Sequence, residues 1–430
     1  MSTTDDFAEH AAYAKHMDEA DVLAGFRDRF HVPVMHGQPV RYFCGNSLGL
    51  EPLSARDAVL AELDDWATYG VEGHFHARRP WFVYHRMFAE PLAKLLGAYP
   101  HEVVCMNTLT VNLHLMMTSF YRPSGRRTKI IIAGHEFPSD RYAVESQVRL
   151  HGLDPQSCVV EVQPAPGSST LTTEHIVDAI KHHADTTALV MFSGVHFYTG
   201  QRFDMRAIAE AARSVGANVG FDLAHAVGNV ELHLHDWDAD FAVWCSYKYL
   251  NSGPGAIAGA FVHERHANRP DLVRLAGWWG NDESTRFAME QGFNPTFGAD
   301  GWQLSNAQIL PMAVHKASLD IFMEAGLEAL WRKRDALTDF LERMIDKVSQ
   351  CYPQVSILTP RDPAQRGAQL SVAFAEHGRA VFEALHARGI IIDWRVPNAI
   401  RVAPVPLYNT YDDVYAFGCA LNEVCHEVYA

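Results

Sequence analysis

One repeated pattern limits how this chain can fold. Short apolar runs end in polar loops, and amphipathic stretches lie between them. The runs are VVCM at 103–106, KIIIA at 129–133, TALVMFS at 187–193, NVGF at 218–221 and FAVW at 241–244. The stretch 205–216 between two of them puts Ile208, Ala211, Ala212 and Val215 on one helical face. Strand, helix and strand joined by short connections give a mainly parallel sheet with helices on both faces. The fold class is therefore α/β, with a large domain built on that sheet. Ligands of such sheets gather beyond the carboxyl ends of the strands. Thr110, Phe137, Asp140, Ser193, Asp222, Tyr247 and Lys248 all lie at or just past those ends.

After Pro360 the pattern changes. QLSVAF, a helix over 378–388, IIIDWR and AIRVAP predict a β-α-β-β unit, a smaller α/β domain at the C-terminal end. Before it, 307–348 reads as helix, with Leu337, Phe340, Leu341, Met344, Ile345 and Val348 as a core stripe. At the other end, 10–30 reads as a helix that packs loosely or against another subunit. Residues 54–70 read as an amphipathic helix with Val59, Leu60, Leu63 and Trp66 on one face.

With 48% hydrophobic and 20% charged residues the chain can bury a large core. Its net charge of −15 argues against nucleic acid and anionic membranes as partners. Seven widely spaced cysteines without a CxxC pair are expected to be reduced thiols. The opening MSTTDDFAEH has no apolar signal region, and no apolar run is long enough to span a membrane. A cytoplasmic location is expected.

The chemistry concentrates in FAVWCSYKYLNSGPG, 241–255, and in NVGFDLAHAVGN, 218–229. The first presents Lys248 at a strand end; the second delivers Asp222 and then His225. A lysine near a carboxylate on such a sheet is a pyridoxal-phosphate arrangement. The amine forms a Schiff base with the aldehyde, and the carboxylate keeps the ring nitrogen protonated. Gly253 and Gly255 are expected to let backbone approach a ligand closely.

Other stretches carry two readings each. NTLTVN, 107–112, is a helix cap and, through its free amides and hydroxyls, a phosphate site. In HEFPSD, Phe137 is placed to stack on a flat ring, and Asp140 either caps a helix or reaches the ring's polar edge. The GNSLG turn and the loop with His74, His76, Arg78, Arg79 and Trp81 serve equally as surface loops or pocket walls. Arg401, between Ile400 and Val402, pairs with a carboxylate, the protein's or a ligand's. No metal site is assigned. ELHLHDWDAD brings His233 and His235 near three aspartates, which zinc would accept, but it also reads as a solvated loop.

Taken together, YFCGNSLGL, NTLTVNLHLMM, HEFPSDRYAVESQ, SGVHFYTGQ, VGFDLAHAVGNVELHLHDW, WCSYKYLNSGPG, GWWGN and IRVAPVPLYN resemble the kynureninases. These belong to the class V aminotransferase group of fold type I pyridoxal-phosphate enzymes. The resemblance runs from about residue 41 to 410. It implies hydrolytic cleavage of L-kynurenine, or its 3-hydroxy form, to anthranilate or 3-hydroxyanthranilate and L-alanine, in tryptophan degradation and NAD biosynthesis. It also implies a homodimer with sites at the subunit boundary. The domains would run over 56–310 and 311–430, with 1–55 joined to the smaller.

For the site it implies that Lys248 holds the cofactor, Asp222 pairs with the ring nitrogen, and Tyr247 serves proton transfer. Leu109, Thr110, Tyr247 and Trp278 would bind phosphate. Phe137, Asp140, Ser193, His225 and Asn306 would complete the cofactor site. Arg401 would hold the substrate carboxylate, with Asn306, Ser47 and His74 (or His76) toward its aromatic end. The alternative is another enzyme on this scaffold, a cysteine desulfurase or an aminotransferase. A desulfurase needs a cysteine on a mobile loop at the site, and none stands in a Gly/Ser-rich loop that fits.

Overall fold

The computed structural model describes residues 7–289 and 292–429. Its centre is a seven-stranded sheet: β1 (Val103–Cys105), β2 (Lys129–Ala133), β3 (Val159–Val162), β4 (Thr187–Ser193), β5 (Asn218–Asp222), β6 (Phe241–Cys245) and β7 (Ala258–Val262). The spatial order is β3-β2-β4-β5-β6-β7-β1. Neighbours from β3 to β6 pair in parallel, and β7 runs antiparallel to both β6 and β1.

Every residue of β4 and β6 is buried, as a sheet covered on both faces requires. Alternation then divides the side chains between two cores. Val190, Phe192, Phe221, Ala242 and Trp244 enter one. Leu189, Met191, Phe241 and Val243 enter the other.

A second sheet holds β8 (Val355–Ile357), β9 (Leu370–Phe374), β10 (Asp393–Arg395) and β11 (Ala399–Val402), in the order β8-β9-β11-β10 and wholly antiparallel. Its core takes the stripe of helix Leu327–Cys351, the helix Tyr411–Tyr429, and Phe7, Ala14 and Phe43 from the start of the chain. Asp18 ties these ends together by accepting from the Tyr411 and Asp412 amides at 2.7 and 2.9 Å.

Three expectations are corrected. The first helix spans only Ala8–Glu19 and packs on its own chain, Tyr13 lying 4.9 Å from Phe340. The long helical region breaks at Gly326 into Ile309–Ala325 and Leu327–Cys351. Met312, Leu319, Ile321 and Phe322 of the former join the core of the large sheet.

The third concerns helix Ser54–Tyr69. Its apolar face is turned outward, with Trp66 60% exposed and Leu60 and Leu63 exposed beside it. The buried face carries Glu62 and Asp65 instead. Glu62 accepts from Tyr84 Oη at 2.8 Å and Trp81 Nε1 at 3.0 Å, and Asp65 pairs with Arg78 at 3.0 Å.

Candidate active site

The strand register assembles the site. Ser193 ends β4 directly opposite Asp222, which ends β5, and β6 runs on beside them into the Lys248 loop. Lys248 Nζ lies 3.0 Å from His225 Nε2. Burial, and then the charges of Lys248 and Arg401, push the His225 imidazole well below its ordinary range. The neutral ring accepts from the ammonium through Nε2, so its proton is on Nδ1. That atom is buried and meets no acceptor among the described residues.

Asp222 accepts the Ala224 amide at 2.7 Å, and burial raises its carboxyl to about 6. Asp140 is pushed well above its ordinary value by burial, then by Asp222 and Glu136. Two buried carboxyls side by side favour one shared proton over two charges. They would take a cationic ring nitrogen between them more readily than solvent-free anionic pairing. Burial also raises Tyr247, whose phenol stays protonated.

These groups line a cavity of about 90 Å³ together with Leu109, Thr110, Phe137 and Ser193. The helix Leu109–Phe120 points its first amides at it. Thr108 is extended there and uses no side-chain cap, so those amides stay open to an anion. Thr110 Oγ1 and Ser139 Oγ stand 3.2 Å apart at the same mouth. Phe137 is partly exposed and meets Phe197 edge-on at 5.1 Å. A wider apolar cavity of about 570 Å³ behind Phe197 is lined by no lysine, arginine or carboxylate, so the chemistry belongs to the smaller one.

Glu136 escaped the sequence reading. It lines the cavity, accepting from Ser193 Oγ at 3.0 Å and from the Phe137 amide at 3.0 Å. Its place directly before Phe137 was the available signal.

The GNSLG turn packs against the backbone of the Lys248 loop. The Gly49 amide donates to the Tyr247 carbonyl at 2.8 Å, and a Cβ on Gly49 would stand 2.5 Å from the Lys248 carbonyl. Gly49 is therefore needed for close approach rather than for a bend. Gly253 and Gly255 show the converse. They have φ of 85° and 68°, and nothing crowds them more closely than ordinary van der Waals contact. Their positive φ serves the backbone path.

Other residues lie outside that cavity within one chain. Trp278 is half exposed and donates to the Arg286 carbonyl at 3.1 Å. Asn306 is exposed. His74 lies edge-on to Trp81 at 5.6 Å, and Ser47 occupies the GNSLG turn. Arg401, only 1% exposed, pairs with Asp393 at 2.5 Å. The ELHLHDWDAD residues are engaged with one another and their neighbours. His235 meets Glu102 at 3.0 Å, and Asp240 binds Arg265 at 2.6 Å and His266 at 2.7 Å. Glu102, His235 and His263 cluster, but the two imidazoles stack at 16°, so their lone pairs run side by side rather than converging.

Comparison with known proteins decides the family. Kynureninases from Myxococcus xanthus and Xanthomonas campestris pv. campestris are 52% and 53% identical to this chain. The alignments cover 97% and 94% of it, and 98% and 95% of those proteins. The chain belongs to the kynureninase family. Within it, residues 330–421 match the model of the kynureninase C-terminal domain, and 82–233 that of the DegT/DnrJ/EryC1/StrS aminotransferase family.

Among solved structures, the cysteine desulfurase CsdA of Escherichia coli matches with a TM-score of 0.75 at 17% identity, covering 94% of this chain and 98% of its own. The cystine C–S lyase C-DES matches at 0.74 and 16%, covering 89% and 97%. Such likeness shows the fold, that of the fold type I pyridoxal-phosphate enzymes. Kynureninases use that cofactor, and the residues here fit it. A lysine, a buried carboxyl pair short of a cation and an uncapped helix start surround one small cavity.

Proposed function

We propose that this chain is a kynureninase in the full sense: it consumes water to cleave L-kynurenine between Cβ and Cγ, giving anthranilate and L-alanine. The 3-hydroxy substrate gives 3-hydroxyanthranilate. The observation that carries this is Lys248, the one amine in the cavity, standing on His225 beside the Asp222–Asp140 pair, in a chain half identical to kynureninases along nearly its whole length.

Pyridoxal phosphate, when bound, supplies the electron sink that makes the β-carbon a leaving group. Lys248 would hold its aldehyde, and its free amine would be the group placed to take the substrate's α-proton. Neutral His225, 3.0 Å away, would accept a hydrogen bond from the Lys248 amine and hold it in place. Asp222 holds the proton on the ring nitrogen, with Asp140 beside it. The amides at Leu109 and Thr110 hold phosphate, joined by the Tyr247 hydroxyl, which also donates a proton during cleavage. Arg401 orients the substrate carboxylate.

We place the exposed Leu60–Leu63–Trp66 face, with Trp278 and Asn306, at a homodimer interface. The partner's copies of Trp278 and Asn306 then complete each site. Of the expected division at 56–310 and 311–430, with 1–55 joined to the smaller domain, the core that Phe7, Ala14 and Phe43 share with the second sheet supports the N-terminal part, whereas Leu23, Phe30 and Leu50, and Met312, Leu319, Ile321 and Phe322, pack with the large sheet, so we place the boundary after Ala325. The first six residues lie outside the described ones. No helix among the described residues can cross a membrane. We place this reaction in the cytoplasm, in tryptophan degradation and NAD biosynthesis.

The test is anthranilate fluorescence on adding L-kynurenine to cofactor-loaded protein. A visible cofactor band without anthranilate would keep the scaffold and reject the substrate. In sedimentation, Trp66→Arg is expected to yield monomers.

A further inference from the structure

Arg401 stands in the middle of β11, and Asp393 faces it directly across on β10. Two residues along β10, on the same face, Arg395 reaches the same oxygen. Asp393 Oδ2 thus accepts from Arg401 Nη2 at 2.5 Å and from Arg395 Nη2 at 3.0 Å. Arg401 Nη1 donates to the Phe197 carbonyl at 2.8 Å. Two guanidiniums share one carboxylate, so the trio keeps one positive charge.

Two donors are also left over. The Nε atoms of Arg395 and Arg401 are both buried, and neither meets an acceptor among the described residues. A buried guanidinium nitrogen without a partner is costly, and a charged one more so. Phe197, whose carbonyl accepts from Arg401, lines the cofactor cavity, and both guanidiniums are near enough to lower the ionisation of His225.

We propose that Arg395 is a second guanidinium of the substrate-carboxylate site, with Asp393 as the counter-ion that fixes the pair and leaves it complementary to one monoanion. This rests on the reading that Arg401 receives the carboxylate. It adds that recognition is shared, and that Asp393 sets the charge of the site. A carboxylate has two oxygens with about four acceptor positions, enough to meet both free Nε donors at once.

The probe is 3-benzoylpropionate, which has the aroyl ketone and the carboxylate but no amine, so it binds without reacting. Its carboxamide is the neutral control. Calorimetric titration of cofactor-loaded protein measures both. Arg395→Gln is expected to weaken the acid about tenfold and leave the amide unchanged. Arg395→Lys, which keeps the charge, should recover part of the loss. With L-kynurenine, Arg395→Gln should raise KM while kcat changes little.

Equal losses for acid and amide, or no loss, would overturn the proposal. Arg401→Gln separates the two layers. If it fails to discriminate acid from amide, the carboxylate reading itself is wrong; if it discriminates and Arg395→Gln does not, only the shared site is wrong. The Arg395 side chain is about one-third exposed, and a melting curve for each variant checks that the fold is kept.

Discussion

Lys248 stands in a loop past the end of a parallel strand, whereas Arg401 stands mid-strand in an antiparallel sheet. Around Lys248, acid groups outnumber cations: Glu136, Asp140 and Asp222 face one amine. Around Arg401 the balance is reversed, two guanidiniums facing one carboxylate. The lysine pocket is short of positive charge and the arginine trio short of negative. A zwitterionic amino acid, joined to a cationic ring, answers both. The lesson is that opposite charge deficits in two regions of one fold can describe a ligand before one is seen.

The strongest challenge to this contrast is Lys248→Ala. It should lower turnover by about a thousandfold or more and remove the visible band, because no other amine lines the cavity. Retained steady turnover would end the assignment. Next, Arg401→Lys keeps the charge but loses the planar fork, so kcat/KM for L-kynurenine should fall by about 10–100-fold. An unchanged value would mean that only net charge matters in the trio.

Asp222→Asn tests the acid excess, and here the sign is informative. The folded-state value near 6 lies above the ordinary 3.8. In cofactor-free protein this group's contribution to stability is therefore fully present below the ordinary value and lost as pH rises through about 6. Asparagine removes that loss. The cofactor-free variant should be more stable than the parent at pH 8, by up to about 3 kcal/mol, and no more stable at pH 4. Activity should fall at the same time. Denaturant melts at the two pH values read the difference, and a variant less stable at pH 8 would contradict the raised carboxyl.

The smallest effect concerns the turn packed against the Lys248 loop. Gly49→Ala should cost about 1–3 kcal/mol in the same melts, since the added methyl meets the Lys248 carbonyl. A neutral result would show that the turn is free to move.

Much of this could be read from residue order. Short, fully apolar runs separated by amphipathic stretches pointed to a covered parallel sheet, and loop position after each run marked Thr110, Phe137, Asp140, Ser193, Asp222, Tyr247 and Lys248 as neighbours. That works because a parallel sheet gathers the ends of all its strands along one edge, whatever the intervening distance in sequence. Glu136 was missed because a charged residue at a loop start looks like any solvated one.

Three things were decided only by the tertiary structure. Helix Ser54–Tyr69 turned its apolar face outward, because Tyr84, Trp81 and Arg78 offered Glu62 and Asp65 full hydrogen bonding inside. Gly49 owed its role to the approach of the Lys248 loop, about 200 residues away along the chain, and not to its own turn. Asp393 met Arg401 through cross-strand register, and Phe197 joined them from the loop after β4. Local sequence fixes periodicity and turn chemistry, but which buried charge finds which partner depends on how the sheets are brought together.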